Sequence, residues 1–401
     1  MRCVWAGSSG SPANNATNYQ HLTATQLSAW NPYENNLGGF NGKSTPLTEN
    51  IVITKLTVWV ATAPGGATAW TFKVRNNALD TAASLTISAA ATTGSWTGQV
   101  ACSINDLVNL SSAPTGAPAG AVNTYWTIEY YTTGNFYLVP VSSGGPGNGN
   151  STNYYTPFGG SFQNPSTVAT DLEAVIPTAL TVTKLAVVFD QAAAGTATYT
   201  IRNNTTSTDS SFSVVLTTSV QGISSTGSLA FSPGDCIVLK EVRSGTNWGA
   251  IRSCMTVAPS FAGEIVQAFG SIQAPSTSAV NYNTPIGVGN NAWNATESVV
   301  YMRMPASTIS KLYVKLTTAP GAAKSYALTV RSNSASTVVA ATVSGAGVTT
   351  ANNTTNTVPH SDGNFFSMMI TPTGTPASTA GVKFGFVQVV HQRSKDFFST
   401  F

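Results

Sequence analysis

The chain is short of charge. Only 8% of its 401 residues are Asp, Glu, Lys or Arg, against about 25% in a typical soluble domain. The 18 Lys+Arg exceed the 15 Asp+Glu by three. That excess is too small for a phosphate-tracking patch, so no nucleic acid is expected among its partners. A surface of Ser, Thr, Asn and Gly is equally poor at steering toward an anionic membrane. Histidine is scarce. His21, His360 and His391 are scattered, with no acidic cluster beside them, so neither a metal site nor a catalytic triad is expected. Cys3, Cys102, Cys236 and Cys254 lack C-x-x-C spacing, which argues against a zinc knuckle. They read as buried thiols, with a Cys236–Cys254 bridge as the alternative. No stretch approaches the roughly 20 apolar residues of a membrane helix. Nor does the apolar run of about 7–15 residues that a secretory signal requires follow Met1. A soluble chain without a signal peptide is therefore expected.

What the sequence does contain is a repeat. Lys55-Leu56, Lys184-Leu185 and Lys311-Leu312 recur at intervals of 129 and 127 residues, each followed by an arginine, Arg75, Arg202 or Arg331. Asn18-Tyr19, Asn153-Tyr154 and Asn281-Tyr282 precede them, and Asp106, Asp235 and Asn364 follow. These landmarks keep one order, which marks a three-fold duplication. The units are 1–131, 132–259 and 260–390, with 391–401 as a tail. Each is too long for a solenoid repeat of about 20–50 residues, so each reads as a whole domain. WNPYENNLGGFNG at 30–42 reads as an extra loop of the first.

Within a unit the pattern is that of strands. Leu56, Val58 and Val60 share one face, with Lys55, Thr57 and Trp59 opposite; helical periodicity is nearly absent. Turn residues punctuate every 8–12 positions, as in a sandwich or barrel. About eight strands are expected in the first unit, near 2–6, 18–23, 50–61, 68–76, 82–89, 98–104, 106–112 and 124–131. The expected fold is all-β: three tandem jelly-roll-like β-sandwich domains arranged as a single-chain pseudo-trimer. An immunoglobulin-like sandwich is the runner-up, without its Cys…Trp…Cys framework.

No catalytic, cofactor or metal residues are expected. Asp106 and Asp235 read as turn caps, and the glutamates do not recur as a matched pair. The repeated Lys and Arg read as packed stems with solvated or ion-paired heads. Among the aromatics, Trp30, Trp59, Trp96, Trp126, Trp248 and Trp293 with Tyr130, Tyr131, Tyr154 and Tyr155 read as core packing, with sugar stacking as the alternative.

The segment KLYVKLTTAPGAAKSYALTVRSN, followed later by ITPTGTPASTAGVKFGF, resembles a repeated β-domain of tailed-bacteriophage and prophage structural proteins. Repeat 1 keeps most of that pattern, while repeat 2 has QAAAG for APG and no proline loop. The resemblance spans about two thirds of the chain. It implies a non-enzymatic virion component, assembled in the host cytoplasm, whose partners are capsid or tail proteins, with surface glycans as an alternative partner. A capsid decoration protein is the first expectation and a tail, fibre or carbohydrate-binding adhesin the second. Residues expected to anchor a neighbour are Arg393, Lys395, Phe397, Phe398 and Phe401 in the tail, with Val4 and Trp5 at the other end.

Overall fold

The computed structural model describes residues 1–24, 29–34, 42–119, 123–143, 153–162, 166–189, 195–217, 219–244, 251–271, 273–286, 293–379 and 381–391. The fold is all-β, with six sheets among the described residues. The first unit contributes β1 (Arg2–Ser9), β2 (Asn18–Gln20), β3 (Thr45–Pro46), β4 (Ile51–Val60), β5 (Ala69–Asn76), β6 (Leu79–Ser88), β7 (Thr93–Cys102), β8 (Leu107–Thr115) and β9 (Thr124–Thr132). They form sheets β1-β9-β4-β7 and β2-β8-β5-β6, with β3 added to β8.

The second unit holds β10 (Tyr137–Ser143), β11 (Asn153–Thr156), β12 (Gly160–Phe162), α1 (Ala169–Leu172), β13 (Ala174–Val175), β14 (Leu180–Phe189), β15 (Ala197–Asn203), β16 (Thr208–Asp209), β17 (Val214–Leu216), β18 (Gln221–Ile223), β19 (Leu229–Phe231), β20 (Cys236–Arg243) and β21 (Ile251–Pro259). The third holds β22 (Glu264–Ser271), β23 (Asn281–Asn283), β24 (Met302–Arg303), β25 (Ser307–Leu316), β26 (Gly321–Ser332), β27 (Ala335–Gly345), β28 (Thr350–His360), β29 (Phe365–Thr373) and β30 (Val382–Val390), with a 3-10 turn at Glu297–Val299. Its sheets, β22-β30-β25-β28 and β23-β29-β26-β27, repeat the order of the first unit. In the second unit, short β16 to β19 stand where the others have two long strands, and β12 lies parallel to β10.

Alternation explains the inner faces. Leu56, Val58, Phe72 and Val74 are fully buried, as are Tyr326, Leu328 and Val330. The opposite face of β4 departs from expectation, because Lys55 and Thr57 are also buried. Their sheet is covered on both sides, by its own partner sheet and by the third unit. The hydrophobic core accordingly runs on between units: one cluster joins Trp5 and Ile128 to Tyr137, Met255 and Ile265.

Two expected strands begin early. β6 starts at Leu79 because Asn77 (φ 49°) and Ala78 (φ 64°) close a two-residue hairpin, the geometry that right-twisted strands favour. β7 starts at Thr93 and is exposed along most of its length, so it carries no hydrophobic alternation to read. The two-residue β3 was likewise unforeseen.

Candidate functional site

Val4 is 4% and Trp5 1% exposed, on a strand paired residue for residue with β9. Trp5 stacks on Tyr130 at 4.1 Å and its Nε1–H donates to Leu138 O at 3.0 Å. Both side chains are spent inside the chain, which corrects the expectation that they face a neighbour. Arg393, Lys395, Phe397, Phe398 and Phe401 lie outside the described residues, as does most of loop 30–42 and Trp248. His391 is not free tail: its N–H donates to Ala306 O and its carbonyl accepts from Arg2 Nη1. The four cysteines are unbridged and buried, with Cys236 and Cys254 in different sheets. Trp30, Trp126, Trp293, Tyr130, Tyr154 and Tyr155 are buried, and only Trp59, Trp96 and Tyr131 are partly exposed.

The turn aspartates cap as expected. Asp106 Oδ2 accepts from Ser103 N–H at 2.7 Å, and Asp235 Oδ2 from Ser232 N–H at 2.8 Å. One equivalence shifts. Tyr19, Tyr155 and Tyr282 are the residues paired with Ser111, Lys240 and Met369, five positions past Asp106, Asp235 and Asn364. Tyr155, not Tyr154, therefore matches Tyr19, and a one-residue slip in a strand changes the face. The outer clusters of the first and third units then coincide. Arg75 lies over Tyr19 at 5.6 Å and pairs with Glu34 at 2.7 Å; Arg331 lies over Tyr282 at 5.6 Å and pairs with Glu297 at 2.6 Å. In the second unit Arg202 pairs instead with Asp209 at 2.7 Å. There Arg243 is buried against Glu241, whose carboxyl also accepts from Tyr199 OH.

The repeated lysines have a shared role at three seams. Lys184 reaches back to Glu49 of the first unit at 2.8 Å. Lys311 reaches back to Thr178 of the second at 3.3 Å. Lys55 reaches Asp362 of the third at 3.4 Å. So the first unit contacts the second, the second the third, and the third the first. The short strands β3, β13 and β24 lie at these seams. At the middle, Val4 to Ala6, Tyr137 to Pro140 and Ile265 to Ala268 line one small gap, and Val266 N–H donates to Tyr137 OH at 3.1 Å.

Equivalent positions carry different chemistry. Four residues past each repeated lysine, a cross-strand pair faces the neighbouring unit: Trp59 with Tyr125, Val188 with Arg252, and Lys315 with Lys383. Arg252 donates to Ser44 O at 3.1 Å. Lys315 and Lys383 share Glu173 at 2.8 and 3.2 Å. Trp59 and Tyr125 receive Arg303, its guanidinium carbon 5.4 and 5.9 Å from their rings. Sequence reasoning missed Glu173 and Arg303, because neither recurs between repeats. All seven glutamates of the chain, Glu34, Glu49, Glu129, Glu173, Glu241, Glu264 and Glu297, are ion-paired.

Burial pushes the Glu173 carboxyl up, but the charge of Lys383 and the bonds from Lys315 and Asn204 outweigh it and hold it below its ordinary value. Burial holds His360 down at about 4 and His21 well below its ordinary value. Both imidazoles are therefore neutral in the fold, whereas an unfolded histidine takes its proton near pH 6.5. Stability is full above pH 6.5 and falls as pH drops toward 4. The His360 share is up to ~3 kcal/mol. Denaturant melts from pH 7 to 4.5 are expected to show this slope, reduced in His360→Gln; a flat profile in the native chain would contradict it.

Among the described residues no group of His, Cys, Asp and Glu could hold a metal ion, and no helix is long and apolar enough to cross a membrane. No protein-family model matches the chain, and no curated protein is significantly similar to it.

Proposed function

We propose that the chain is a non-enzymatic structural component of a virion: three jelly rolls closed as a single-chain pseudo-trimer that decorates the capsid of a tailed phage. The strand orders support the domain type. Numbering the eight principal strands of the first unit in sequence gives sheets 1-8-3-6 and 2-7-4-5, an arrangement suited to two Greek keys in face-to-face sheets. The observation that carries the reading is closure of the seams. Lys184 to Glu49, Lys311 to Thr178 and Lys55 to Asp362 run in one direction around the chain and return to the start. A head-to-tail interface that closes makes a ring, and such a ring matches the local three-fold axes of an icosahedral shell.

Mixing the purified chain with undecorated capsids is expected to place density at local three-fold positions by electron cryomicroscopy. Mass spectrometry of purified virions is expected to find the protein. Deleting residues 392–401, with Arg393, Lys395, Phe397, Phe398 and Phe401, should leave folding intact and weaken incorporation several-fold. Absence from virions, or hydrolytic turnover by the pure chain, would overturn the reading.

A further inference from the structure

Arg303 stands apart from the other charges at the seams. Its guanidinium lies 4.1 Å from the Phe365 ring and also faces Trp59 and Tyr125 of the first unit. Tyr301 stacks on Phe365 at 4.4 Å and extends the aromatic wall. Nη1 donates to Gly363 O at 2.6 Å. Nε is buried with no acceptor. The side chain remains partly exposed, yet no carboxylate lies within ion-pairing reach of it among the described residues. The cations at the other two seams lie on the facing strands, at the positions of Trp59 and Tyr125: Lys315 and Lys383 are engaged by Glu173, and Arg252 donates to the Ser44 carbonyl. Aromatic faces attract a cation, but they do not accept the N–H bonds of a planar fork. A carboxylate fits that fork with two parallel bonds.

We infer that Arg303, walled by Trp59, Tyr125, Tyr301 and Phe365, is a carboxylate-binding site for an acidic side chain of the protein on which the chain docks. The inference rests on the docking reading above and gives its contact a chemistry. The rings suit the methylenes of a Glu or Asp stem, and Arg303 offers them a partly exposed cation.

The test is thermal melting of the full chain with tri-glutamate, against sodium chloride at equal ionic strength. A ligand that binds only the folded state raises the melting temperature. The native chain is expected to gain stability from tri-glutamate beyond the chloride control. Arg303→Gln should bind at least about tenfold more weakly, while Lys324→Gln, an unrelated cation, should respond as the native chain does. Each variant's melt in chloride is its own baseline, so a purely structural staple lowers the baseline without changing the glutamate response. If Arg303→Gln does not fold, Arg303→Lys decides: weaker binding supports the fork, and unchanged binding overturns it. Equal responses in native and Arg303→Gln chains overturn the site, and a stronger response to an oligoglucuronate overturns the protein ligand in favour of an acidic sugar. The titration uses the chain alone. Its failure removes the carboxylate site and leaves docking standing; failed docking with a positive titration does the reverse.

Discussion

Replacing Glu173 with alanine is expected to lower stability by about 3–5 kcal/mol, the usual cost of stranding buried charge. The carboxylate is 1% exposed and sits between Lys315 and Lys383. Lys383 is itself 1% exposed and also donates to Thr170 O. Removing the carboxylate strands the buried Lys383 ammonium beside that of Lys315, whose side chain is 30% exposed. The backbone leaves no slack nearby: a methyl group on Gly385 would stand 2.2 Å from Val175 O, and one on Gly270 2.5 Å from Glu173 O. The second and third units are therefore expected to separate first. Hydrogen exchange should show β13, β22 and β30 losing protection before the cores of the first unit. Because the folded carboxyl is held low, its contribution is present above about pH 4.3, the value of an unfolded glutamate, and is lost as pH falls through the folded value. A Glu173→Ala chain with native urea midpoint and native exchange would contradict this account.

Trp5→Ala should cost a similar ~3–5 kcal/mol, as for other buried tryptophans. Two losses combine. The indole leaves a void against Tyr130, and Leu138 O loses one of its two side-chain donors, the one from β1. Trp5→Phe separates them, keeping most of the volume and losing the hydrogen bond, for about 1 kcal/mol. Chemical denaturation of both variants checks the order. If Trp5→Ala kept native stability yet failed to join particles, Trp5 would be a surface anchor after all.

The repeat and its strands were legible because inward residues such as Leu56, Phe72 and Leu328 alternate with polar ones and recur at fixed offsets. The lysine of each repeat was legible as a position but not as a contact. Glu49 and Thr178 share one offset, six residues before Lys55 and Lys184, but differ in chemistry, and Asp362 comes from a different segment, so no conserved residue type marks the contact. β3, β13 and β24 are two residues long, below the length at which alternation exists. The burial of Lys55 and Thr57 was hidden for a related reason: a polar face reads as solvated unless the neighbour that covers it is known. Tyr154 was misaligned because NYY offers two tyrosines, and only pairing with β20 chooses between them.

Four residues join β9 to β10, and four join β21 to β22. Linkers this short hold each unit against the next at an effective concentration on the order of millimolar, so the proposed ring should not come apart on dilution as a homotrimer would. The linkage also changes what a mutation does. In a homotrimer one codon change is felt at three interfaces at once, and only substitutions tolerated at all three survive. In a single chain it is felt once. That freedom explains how one seam can carry Glu173 with two lysines, another Ser44 with Arg252, and the third Arg303 on aromatic rings.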